Sequence, residues 1–122
     1  MSMKFEYALD GDPVPTARPR FGKGGRAYQD ARSREAQAEH RQAGRLALPE
    51  GWPKGARYAV KLAFVLETRR KKDWDNLSKT IGDGLNGVAW DDDSQIRDAT
   101  VKIIDGAPGE GMTYVTVEVL DE

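Results

Sequence analysis

The sequence predicts an α+β fold, a small mixed β-sheet with flanking helices. Three observations carry the prediction. Tyr58 to Glu67 is largely apolar on both alternating faces, the pattern of a central strand. Two segments, about Ala31 to Leu48 and Asp75 to Leu85, have helical composition or spacing. Strand patterns stand at both ends of the chain, so the order reads strand, loop, helix, strand, helix, strand, strand. At 122 residues the chain is expected to form one domain, residues 1–122.

Phe5, Tyr7 and Leu9 alternate with Lys4, Glu6 and Ala8, as in a half-buried strand. Asp10 to Asp30 is a long polar loop rich in Gly and Pro, a length that is usually functional or disordered in a compact domain. Asp30 is placed to cap the first helix. Its apolar content is thin (Ala31, Ala38, Ala43, Leu46 and Ala47), so a surface helix with one narrow packed face is expected. His40, on this exposed-looking helix, is expected to be neither ligand nor base. Leu77, Ile81 and Leu85 recur every four residues and mark the buried stripe of the second helix. Gly82 and Gly84 each weaken that helix by about 1 kcal/mol relative to Ala, so tertiary packing must hold it. Gln95 to Ile104 and Met112 to Leu120 read as strands, joined by Asp105 to Gly111 as a hairpin.

The net charge of −1 conceals a segregation. Thr16 to Lys72 holds 15 Lys/Arg against 5 Asp/Glu, and Asp73 to Glu122 holds 3 against 12. A basic part of this kind points to a polyanionic partner; the competing reading is that the two halves pair across the fold. There is no cysteine, which excludes disulfides, thiolate zinc sites and cysteine nucleophiles. No apolar run approaches a membrane span, and a cytoplasmic protein with no membrane partner is the expectation.

The densest chemistry lies in Asp73-Trp74-Asp75-Asn76-Leu77-Ser78-Lys79 and Asp91-Asp92-Asp93-Ser94-Gln95. Asp73 and Asp75 can face one ion together, and Lys79 lies one helical turn after Asp75 on the same side. Asp93 lies beyond the other end of the helix and could fold back to complete the cluster. Clustered carboxylates repel unless a cation sits among them, and oxygen-only ligands favour a hard ion such as Mg2+ or Mn2+. The simpler reading has Asp73 or Asp75 as helix caps and Asp91 to Asp93 as a solvated loop. A calcium loop fits poorly, because its sixth and twelfth positions would be Ser78 and Gly84 in place of Gly and Glu. The basic run Arg69-Arg70-Lys71-Lys72 directly before the acids suits a nucleic-acid backbone, and together they suggest metal-assisted phosphodiester chemistry.

These residues resemble the RusA family of Holliday-junction resolvases, small endonucleases common in phages and prophages. The resemblance rests on Asp73-x-Asp75-Asn76-Leu77-x-Lys79, on Asp83-Gly84-Leu85-Asn86 and on Asp92-Asp93-Ser94-Gln95. It extends to Pro13-Val14-Pro15 and Arg18-Pro19-Arg20. It implies a RusA-like, homodimeric, Mg2+-dependent endodeoxyribonuclease, with Mn2+ able to substitute, that makes paired nicks in a four-way DNA junction. The family's essential aspartates fall on Asp73, Asp75 and Asp93, and its essential lysine on Lys79. Asp92 falls on a further family aspartate.

Around these, Arg69, Arg70, Lys71 and Lys72 are expected to hold backbone phosphates. Arg18, Arg20 and Lys23, with Arg26, would form a phosphate-binding arm. Trp74 and Trp90 are expected to be packing residues, since large aromatics dominate cores. The alternative function is a branched-DNA-binding protein without catalysis.

Overall fold

The computed structural model describes residues 3–17, 20–21, 27–28, 30–68 and 72–120. The order is β1 (Lys4–Asp10), β2 (Arg20–Phe21), β3 (Ala27–Tyr28), α1 (Ala31–Ala47), β4 (Arg57–Leu66), α2 (Trp74–Gly84), a 3-10 turn (Asp93–Gln95), β5 (Ile96–Asp105) and β6 (Met112–Leu120). The main sheet runs β1-β6-β4-β5, with β4 parallel to β5 and antiparallel to β6. The predicted mixed α+β sheet is therefore present, with β4 inside it.

Two elements differ from expectation. The long loop after β1 contains the short antiparallel pair β2–β3. The strands β5 and β6 do not form a hairpin: both pair with β4, one on each side. Their connection passes over the end of β4, where the Gly106 amide donates to the Leu66 carbonyl at 2.8 Å. The physical reason is β4 itself. It is the strand able to satisfy neighbours on both edges while keeping Val60, Leu62, Phe64 and Leu66 buried.

The core lies on one face of the sheet. Those β4 side chains meet Val115, Val117 and Val119 of β6, Phe5 of β1, and Leu77, Ile81 and Leu85 of α2. Each such side chain contributes roughly 1.5–3 kcal/mol when fully buried. The predicted stripe of α2 is thus the packed one.

Helix α1 packs one narrow face, as expected, but none of Ala31, Ala38, Ala43, Leu46 and Ala47 is among its buried residues. That face is Ser33, Ala36, Gln37, His40 and Gly44, while Leu46 is 79% exposed. Small and polar residues face inward because α2 comes very close. A Cβ on Gly84 would stand 2.9 Å from the Gln37 carbonyl oxygen and 3.0 Å from the His40 Cβ. Its lack of a side chain is a condition of the helix crossing. His40 is consequently buried, and a 2.7 Å hydrogen bond between its Nδ1 and the Tyr7 hydroxyl joins α1 to β1. Burial pushes the His40 imidazole down to about 4 and the Tyr7 hydroxyl up.

The tryptophans divide. Trp90 is fully buried as expected, but Trp74 is 62% exposed. Trp74 is the first residue of α2, in line with Leu77, Ile81 and Leu85 but a turn before them, at the end of the helix, where its ring is left open.

Candidate functional site

Strand β4 delivers the chain from a buried platform to the start of α2, where Asp73 and Asp75 stand exposed. Asp73 holds the N-cap position through its backbone: its carbonyl accepts the Leu77 amide at 3.0 Å. Its carboxylate makes no capping bond and instead accepts the Asn76 amide nitrogen at 3.3 Å. The carboxylate is therefore oriented yet still open to solvent. Lys79 is half exposed and pairs with Asp83 at 3.1 Å, one turn further on.

The second acidic group is held by aromatic packing. Phe5, Trp52, Tyr58 and Trp90 form a chain of ring contacts with centroids 4.9–5.7 Å apart. Trp52 donates to the Ala89 carbonyl at 2.8 Å, and Trp90 donates to the Gly82 carbonyl of α2 at 3.2 Å. The loop after Trp90 is thereby fixed to the second half of α2.

Within that loop the acids have different work. Asp92 and Gln95 form a capping box on the 3-10 turn. The Asp92 carboxylate accepts the Ser94 amide at 3.1 Å, and Gln95 Oε1 accepts the amides of Asp91 and Asp92, each at 2.9 Å. Gln95 also donates to the carbonyls of Lys54 and Ala56, at 2.9 and 2.8 Å. Hydrogen bonds from the Ser94 hydroxyl, and then from its amide, hold the Asp92 carboxyl below the usual carboxylate range. Asp93 is left out of this network and turns to α2: its Oδ2 is 3.4 Å from where a Gly82 Cβ would stand. Gly82 is seven residues after Asp75 and three after Lys79, so all three share one helical face.

Asp75, Lys79 and Asp93 are thus brought to the same side of α2, with Asp73 at its start. The acids are not gathered into a finished cluster. Among the described residues no three His, Asp or Glu side chains stand close enough to hold one ion. The donors of Asp73, Asp75 and Asp93 are all carboxylate oxygens, the chemistry that a hard divalent ion takes.

Of the basic residues, Arg18, Lys23, Arg69, Arg70 and Lys71 lie outside the described residues, as does Arg26. Arg20 begins β2. Lys72 is only 12% exposed and donates to the Asp12 carboxylate and, at 2.8 Å, to the Pro13 carbonyl. Sequence reasoning misses Asp12 altogether, since one Asp in a Gly/Pro loop carries no distinguishing pattern. It also misses the capping role of Asp92, which the Asp-x-x-Gln signature at 92–95 could have revealed.

Exposed acids and a lysine thus stand on a helix that follows the central strand of a mixed α+β sheet. The chain belongs to the RusA family: the family described as endodeoxyribonuclease RusA matches residues 10–118. Membership identifies it as an endodeoxyribonuclease of the kind that resolves Holliday junctions, a family that is generally dependent on divalent metal. No curated protein shows significant similarity to the chain. No helix among the described residues is long and apolar enough to cross a membrane.

Proposed function

We propose that this chain is a Mg2+-dependent endodeoxyribonuclease that resolves four-way junctions by paired, symmetric nicks in recombination and repair. Asp73, Asp75 and Asp93 are the metal ligands in this reading. The observation that carries it is the turn of Asp93 onto the α2 face that presents Asp75 and Lys79. A bound divalent ion would acidify a water and polarise the scissile phosphate. Asn76 fixes the direction of one Asp73 oxygen. Lys79 offers a positive charge for the phosphate or the leaving oxygen once its pairing with Asp83 is shared.

Arg69, Arg70 and Lys71 stand between β4 and α2, beside the acids in sequence, and would hold the backbone of the branched DNA. Arg18, Arg20 and Lys23 would form the arm. Lys72 joins this set with its charge already shared with Asp12. The protein works in the cytoplasm in this reading.

A homodimer is part of the proposal, because a junction with two equivalent strands needs two equal sites at fixed separation. An exposed surface supports it. β5 is an edge strand of ten residues, and Ile103, Ile104 and Trp74 are large apolar side chains left open. Exposed edges and apolar patches of this kind are normally covered.

The separated acids favour a second reading, a branched-DNA-binding protein that does not cut. One experiment distinguishes them: incubation with a synthetic four-way junction and a matched linear duplex, with and without Mg2+. Mg2+-dependent paired nicks in the junction support the nuclease, and tight junction binding without nicks supports the binder. Asp75→Asn is expected to bind the junction at least as well as the wild type and to cut nothing; cutting by this variant removes Asp75 from the site.

A further inference from the structure

The segment Asp12 to Thr16 lies along α2 and is fastened to it on both sides of the acid-bearing turn. At one end Asp12 takes the Lys72 ammonium on one carboxylate oxygen and the Glu67 amide on the other, the latter at 2.9 Å. The same ammonium donates to the Pro13 carbonyl at 2.8 Å. A single carboxylate therefore ties the exit of β4 to the entry of α2. At the other end the Thr80 hydroxyl reaches the Val14 carbonyl and the Thr16 hydroxyl, both at 2.8 Å. The Thr16 amide donates to the Asn76 carbonyl at 3.0 Å. Thr16 and Thr80 are almost completely buried, at 2% and 1% exposure. Gln37 of α1 adds a longer bond to Thr16 at 3.4 Å.

Residues 73–79 thus lie between two fixed points, Lys72 and Thr80. The Asp73 carboxylate leans on Asn76, and the Asn76 carbonyl is in turn held by Thr16. We propose that Asp12, Thr16 and Thr80 are positioning residues of the nuclease centre, holding the backbone of residues 73–79 so that its carboxylates receive a divalent ion. This inference rests on the nuclease reading above. It gives the Pro13-Val14-Pro15 segment a task, which is to present the Pro13 and Val14 carbonyls to α2. The Asp12–Lys72 pair is partly buried, so solvent and salt screen it less than a surface pair.

The test measures Mn2+ binding by titration calorimetry, junction cutting and thermal unfolding on full-length wild type, Asp12→Asn, Thr80→Val and Thr80→Ser. Asp12→Asn and Thr80→Val are expected to lose on the order of tenfold in Mn2+ affinity, as residues that orient metal ligands do. Cutting should fall with it while the protein remains folded at the assay temperature. Thr80→Ser, which keeps the hydroxyl, should restore wild-type affinity. Wild-type Mn2+ affinity and cutting in a folded Asp12→Asn or Thr80→Val overturn the proposal, as does loss only in proportion to the unfolded fraction. Should Thr80→Val not fold, Asp12→Asn decides alone. A wild type that neither binds Mn2+ nor cuts overturns the nuclease centre, and the positioning role with it. A wild type that does both, beside variants that match it, overturns the positioning role only.

Discussion

The Asp93 carboxylate lies against Gly82 of α2, its Oδ2 3.4 Å from the place a Cβ would occupy. That relationship joins the two acidic segments across eleven residues of chain. It depends on Trp90, which is buried beside Tyr58 and bonded to the Gly82 carbonyl.

Gly82→Ala should be tolerated, because 3.4 Å is ordinary contact. Its stability should rise by up to about 1 kcal/mol from helix propensity. Gly82→Val, with more bulk toward Asp93, should displace the carboxylate. Junction cutting should drop at least tenfold in Gly82→Val, with junction affinity kept. Equal cutting by Gly82→Val and wild type would remove Asp93 from the reacting centre.

Neighbouring aspartates should behave differently. Asp92→Ala is expected to lower the melting temperature by loosening the 3-10 turn, and to keep cutting. Asp93→Asn should keep its melting temperature and lose Mn2+ binding. The reverse pattern would exchange their roles.

Gly84→Ala should destabilise the fold by about 1–3 kcal/mol, because the added carbon meets the Gln37 carbonyl at 2.9 Å between two packed helices. Chemical denaturation measures this. A neutral result would mean that α1 and α2 can separate freely.

Acid should weaken the fold through His40. The unfolded imidazole takes a proton near pH 6.5, whereas burial holds the folded one at about 4. Above pH 6.5 both forms are neutral and stability is complete. Between pH 6.5 and 4 the unfolded chain binds more protons, so stability falls, by about 3 kcal/mol across the window. His40→Gln should flatten this part of the melting-temperature profile. Parallel profiles for wild type and variant would show that His40 already protonates in the folded chain.

Neutralising Arg69, Arg70 or Lys71 should weaken junction binding and reduce its salt slope by about 1 for each phosphate that is no longer neutralised. Salt titrations of fluorescence anisotropy read this directly. An unchanged slope would remove the residue from the set that holds the backbone.

Local pattern is enough for the strands and helices, for the apolar stripe Leu77–Ile81–Leu85, and for the acids with their lysine. Periodicity of burial and side-chain chemistry are written along the chain, so these are legible. Pairing partners are not. The strand β5 joins β4 and not β6, and a strand's edges carry no mark in its side chains. The buried face of α1 is hidden for a related reason. Hydrophobicity marks an inward face only where the neighbour is at ordinary distance, and here a close glycine crossing favours Ser33, Gln37 and His40. Asp12, Thr16 and Thr80 take their places from partners more than fifty residues away, and such long-range bonds exist only once the chain has closed on itself.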